Sequence, residues 1–285
     1  MGDQACPPAR PFPNVAMTVA QEMTPTEVEV AVLGPVEVTG AAQPFGRSAA
    51  LDLVVYLALH PGGAGHDVWG SALWTDRTIS VTTLHSTASV ARRALGRSSQ
   101  GLEHLPRGGR RLRLADSVGT DVERFAQKAN SPEPADWQDA LRLIRGRPLD
   151  GIRLSDWAVL DGTQAGLESM VVDTALKCAT DALLGGQAET AEWVVRQGLR
   201  ASPYDERLYR ALLRITEAKG DRMGLHAVMT ELLRKAVDAA SPLPESGPFP
   251  KSASPVALVH PRTVDLYQRL IHGQEPAAGE ALVRL

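Results

Sequence analysis

Residues 81–114, VTTLHSTASVARRALGRSSQGLEHLPRGGRRLRL, place a helical pattern directly before a hairpin pattern. On a helical wheel Leu84, Ala88, Ala91 and Leu95 fall on one stripe, which predicts a helix over Val81–Leu95 with that stripe in the core. Thr82, Ser86, Ser89 and Arg93 fall on the opposite side. His85 and Arg92 lie on one flank and Val90 on the other. Beyond Gly96, Leu102–Leu105 and Arg111–Leu114 flank the turn Pro106-Arg107-Gly108-Gly109, whose paired glycines supply the positive φ of a short hairpin turn. Between Arg92 and Arg113 stand seven arginines (Arg92, Arg93, Arg97, Arg107, Arg110, Arg111, Arg113) against one acid, Glu103. The chain as a whole carries −3, so this local excess predicts one face built for a polyanion.

Working outward, Val28–Leu33 reads as a strand closed by Gly34-Pro35, and Val36–Val38 as a second. Ala49–His60 is apolar enough for a buried helix. His66–Trp74 makes a short one with Trp69, Leu73 and Trp74 facing inward. Strand pair, three helices and hairpin make a winged helix-turn-helix. In it Thr82, His85, Ser86, Ser89, Arg92, Arg93 and Arg97 belong to the recognition helix, and Arg107, Arg110, Arg111 and Arg113 to the wing. Small hydroxyls permit close approach to a groove, and arginine reaches guanine or phosphate. Arg111 and Arg113 alternate with Leu112 and Leu114, so both face solvent.

The remainder is helical. Trp137–Ile144, Leu167–Leu184, Ala188–Leu199, Asp205–Lys219, Asp221–Val237 and Arg262–Ile271 each show helical apolar spacing. Gly186, Val194 and Leu199 recur as Gly220, Val228 and Leu233, with Pro203 at the joint, as in tetratricopeptide-like repeats. The fold class expected is mainly α: an N-terminal winged helix-turn-helix with small β elements, then an all-α tetratricopeptide-like repeat domain. The expected domains are a disordered Pro-rich arm at 1–26, the winged helix at 27–117 and the helical domain at 121–273. A Pro/Ser-rich segment falls at 240–255 and a tail at 274–285.

Several strings resemble the Streptomyces antibiotic regulatory protein family: ALW at 72–74, TLHSTASVARRALG at 83–96 and LRLADSVGTDVERF at 112–125. In the second half ALRLIRGRPL (140–149), LESMVVDTALKCATDALL (167–184), AEWVVRQGLRASPYDERLYRALLRI (191–215) and HPRTVDLYQRLI (260–271) resemble it too. In that family an OmpR-like winged helix precedes a bacterial transcriptional activator domain. The resemblance implies an activator that binds double-stranded promoter DNA, pairs as a homodimer and contacts RNA polymerase. One departure stands in the recognition helix: Val90 occupies a position where the family commonly carries a cation. The competing reading is a regulatory interaction module without DNA binding, as the C-terminal part of a larger signalling protein.

Enzymatic readings find no footing. There is no G-x-x-x-x-G-K-[ST] loop, and the seven histidines show no zinc spacing, so neither catalytic residue, metal nor cofactor is expected. Cys178 lies on an apolar helical face and reads as an inert core thiol; with Cys6 in the arm, no disulfide framework is implied, which fits a reducing cytoplasm. Prolines at 7, 8, 11 and 13 interrupt any signal-peptide core, and no apolar run approaches the ~20 residues that span a bilayer. Trp157, Trp193 and Tyr209 are expected to stack repeats rather than line a peptide groove.

Overall fold

A computed structural model of the chain describes residues 26–108, 111–152, 156–240 and 255–273. The N-terminal arm up to residue 25, most of the Pro/Ser-rich segment, the tail, and Gly109 with Arg110 lie outside the described residues. Strand β1 (Val28–Ala31) is central. It runs antiparallel to β2 (Glu37–Thr39), Val30 opposite Val38, and parallel to β3 (Val118–Thr120), Val28 opposite Val118. Val28 and Val30 are fully buried while their neighbours are half-buried, the period of a one-faced sheet.

Three helices follow: α1 (Ser48–Ala58), α2 (His66–Leu73) and α3 (Val81–Leu95). Leu53 to Leu57 are all buried, so α1 forms the centre of this half and α3 packs across it. Gly70 lets α2 and α3 approach closely, since a Cβ there would meet the Leu84 side chain at 3.0 Å. Ser80 caps α3, its hydroxyl accepting from the Thr83 N–H at 3.2 Å.

The hairpin expected at 102–114 does not form a regular ladder among the described residues. Leu112 instead exchanges backbone hydrogen bonds of 2.8 and 2.9 Å with Ala64, in the connection between α1 and α2. The two arms meet through the Ala115 N–H and the His104 carbonyl, 2.9 Å apart. Burial explains the difference: Leu105, Leu112 and Leu114 all enter the core, and a free two-stranded ribbon is marginal in water.

The helical half comprises α4 (Asp121–Ala129), α5 (Pro134–Arg142), α6 (Asp156–Leu160), α7 (Thr163–Leu184), α8 (Ala188–Ala201), α9 (Glu206–Ala218), α10 (Arg222–Ala240) and α11 (Pro261–His272). The periodicity predicted α5 and α7 to α11. It missed β3, α4 and α6. Helix α4 buries only Asp121 and Phe125, too little for an apolar stripe. Its start was nonetheless legible as a capping box, with the Thr120 hydroxyl accepting from Glu123 N–H and the Glu123 carboxylate from Thr120 N–H, both at 3.0 Å. The repeat is visible in the backbone: Gly186 and Gly220 end α7 and α9 at φ 71° and 70°, and Val194 and Val228 are both buried.

The two halves share backbone bonds and core. Asp121, at the start of α4, accepts from Val32 N–H at 2.8 Å and from Leu33 N–H at 2.9 Å. Leu149 and Arg145 return N–H bonds to the Val32 and Leu33 carbonyls at 2.9 and 2.8 Å. Trp157 of α6 meets the edge of Tyr56 at the end of α1, with ring centroids 5.0 Å apart. No helix of the described residues is long and apolar enough to cross a membrane.

Candidate nucleic-acid interface

On α3 the stripe Leu84, Ala88, Ala91 and Leu95 is buried, joined by Ala94 and by Thr87, whose hydroxyl is satisfied by the Thr83 carbonyl at 2.9 Å. Thr82, His85, Ser89 and Arg93 are exposed and Ser86 is half-buried. Val90 is half-buried and packs against the core. The Arg93 guanidinium makes no ion pair among the described residues, and stands out from the helix where Thr82, Ser86 and Ser89 line the same face.

Arg92 behaves differently from the flank position the wheel gave it. Its side chain is only 15% exposed, Nε donating to the Leu105 carbonyl at 2.8 Å and lying 3.5 Å from Glu103. Burial pushes the guanidinium pKa down, with Glu103 opposing that shift. Arg92 therefore fastens α3 to the first arm of the wing. Its charge is spent inside the fold.

Glu103 is a hub. Arg97 and Arg107 each reach its Oε1 at 3.3 Å, and Arg97 also donates to the Gly101 carbonyl at 2.7 Å. Both guanidinium groups are largely exposed, at 63% and 76%, so these pairs are worth about 0–1 kcal/mol and leave both cations available to an incoming anion. In the second arm Arg111 donates twice to the Gly63 carbonyl, at 2.6 and 3.2 Å, and Arg113 pairs with Asp116 at 2.7 Å. Leu112 and Leu114 between them are buried, so the expected alternation is present. Arg110 lies outside the described residues. One acid thus gathers Arg92, Arg97 and Arg107 beside one flank of α3, while Arg111 and Arg113 are anchored in the second arm.

Two further cations border α3 that sequence reasoning passed over. Arg47, just before α1, donates from Nη1 to the Ser86 hydroxyl at 3.2 Å. Arg77, in the connection from α2 to α3, lines with Arg47 a groove of about 850 Å³ that also contains Thr83 and Thr87. Arg47 and Ser86 are far apart in the chain, and no local pattern announces their meeting.

A short sheet, a three-helix unit whose last helix turns a hydroxyl-and-arginine face to solvent, a cationic wing and a stack of paired helices define a winged-helix protein with a helical repeat domain. No protein-family model matches the chain, and no curated protein matches it. Among solved structures it is similar to Mycobacterium tuberculosis EmbR in complex with a low-affinity phosphopeptide. The TM-score is 0.58 at 20% identity, over 90% of this chain and 68% of that one. At that identity the likeness is one of fold: a winged helix followed by an all-helical domain, as the sequence predicts.

Proposed function

We propose that the chain is a transcriptional regulator that binds promoter DNA through α3 and the wing, acting as an activator. Thr82, His85, Ser89 and Arg93 face the bases, and Arg97, Arg107, Arg110, Arg111 and Arg113 neutralise phosphates. The observation that carries this reading is the exposed face of α3, built from small hydroxyls around an Arg93 that makes no ion pair among the described residues, and flanked by the exposed Arg97 and Arg107. The EmbR-like fold supports it. The winged helix (27–117) is the DNA-binding unit, and the helical domain (121–273) supplies the contact to RNA polymerase or to a second protomer.

Fluorescence anisotropy with random-sequence duplex at two salt concentrations tests the reading. Binding should weaken steeply with salt and be lost on combined Arg110→Ala and Arg111→Ala substitution. Absence of binding at low salt would remove it, leaving a regulatory interaction module as the alternative. The pairing of Arg97, Arg107 and Arg113 with carboxylates favours that second reading.

A further inference from the structure

Resting on the DNA-binding reading, we infer that Arg47 and Arg77 form a second phosphate-binding site, gripping the DNA strand on the flank of α3 opposite the wing. Ser86 serves there to position Arg47 rather than to read a base.

The two flanks of α3 carry different cations. Arg92 ties one flank to Leu105 and Glu103, and so to the wing. Thr83 and Thr87, one turn apart, lie on the other flank and line the groove that holds Arg47 and Arg77. The outward face with Thr82, Ser89 and Arg93 lies between. A helix of ~10–12 Å diameter fills a major groove about 12 Å wide, so each flank of an inserted helix faces one phosphate backbone. The wing arginines serve one backbone. Arg47 and Arg77 are the cations lining the groove on the other.

Their chemistry suits phosphate. Both side chains are exposed, and neither pairs with a carboxylate among the described residues. Arg47's one side-chain hydrogen bond there goes to a neutral hydroxyl, which orients the guanidinium without cancelling its charge. Asp76 also lines the groove and accepts from the Thr75 hydroxyl at 3.1 Å, which leaves two cations against one acid. A Ser86 hydroxyl engaged by Arg47 is held at the edge of the reading face, beside the backbone.

The test uses the full chain, a random-sequence duplex and a salt titration. Arg47→Gln and Arg77→Gln should each reduce the slope of log affinity against log salt by about 0.9. Equivalently, each variant should lose about 3.5-fold less affinity than the parent between 50 and 200 mM salt. Arg47→Lys should restore the slope, and adding Ser86→Ala to Arg47→Gln should weaken binding no further. Circular dichroism checks that each variant folds; Arg77, on a connection, carries the test if Arg47→Gln does not. Unchanged slopes in both Gln variants, beside a reduced slope for Arg107→Ala plus Arg111→Ala, overturn this inference and leave DNA binding standing. A parent chain that fails to bind at low salt overturns both.

Discussion

Arg92 and Arg93 are adjacent in the sequence and have opposite fates. Arg92 is folded under the wing, where its loss would leave the Leu105 carbonyl and Glu103 short of a partner. Arg92→Ala should lower stability by about 1–3 kcal/mol, read as a shifted urea midpoint. Arg93→Ala should move that midpoint by no more than ~0.5 kcal/mol while weakening duplex binding in anisotropy. Asp52 is a second residue whose surroundings matter more than its type. It sits on the buried α1 at 1% exposure, its Oδ2 without a hydrogen-bond partner among the described residues, and burial pushes its pKa up to about 6. Because the folded value exceeds the unfolded one of ~3.9, the folded chain takes up this proton first. The resulting stability is complete below pH ~4 and is lost as pH rises through about 6. Asp52→Asn should therefore gain on the order of 1–2 kcal/mol over the parent at pH 7.5, with the difference shrinking by pH 5 in denaturant titrations. A difference independent of pH would contradict the assignment.

At the scale of elements, the turns of the repeat are decided by two glycines. Gly186 and Gly220 adopt φ of 71° and 70°, and a Cβ at either would meet nothing within 4 Å. The cost of Gly186→Ala or Gly220→Ala is thus backbone strain alone, about 1 kcal/mol each, and the two should add in thermal or chemical unfolding. A loss of several kcal/mol at either would point to packing that the geometry does not show. The same helices explain the inert thiol: Cys178 is buried in α7, its pKa pushed up to about 11 chiefly by that burial. Trp157 and Tyr209 are likewise core residues, while Trp193 is half-buried with the Arg142 guanidinium 5.6 Å from its ring centroid.

Across the whole molecule, Asp121 couples the sheet to the helical half. Its carboxylate satisfies the Val32 and Leu33 N–H groups and lies 3.6 Å from Arg145. Asp121→Ala would orphan the two N–H groups and leave Arg145 with only the Pro35 carbonyl and Glu37, and should cost about 3–5 kcal/mol. Because the core continues from one half into the other, the chain should unfold in one transition. Far-ultraviolet circular dichroism, dominated by the helical half, and fluorescence restricted to Trp69 and Trp74 should then give coincident curves. Two separated midpoints would show that the halves are energetically independent.

Local chemistry made most of the architecture readable. Periodicity marked α1 to α3, α5 and α7 to α11, because each buries a stripe wide enough to pattern its own residues. The Gly186 and Gly220 recurrence marked the repeat, because a left-handed turn restricts which residue can occupy it. Elements with little to bury, α4, α6 and β3, left a weaker trace, although Thr120 and Glu123 recorded the start of α4. What only the tertiary structure decided was which cations face outward. Arg92 turned inward because the Leu105 carbonyl needed a donor, Val90 packed because the core reached it, and Leu112 chose Ala64 over its hairpin partner. Arg47 met Ser86 because α1 lies beneath α3. Charge can be counted along a chain, but its direction is set by which neighbours folding brings within hydrogen-bonding distance.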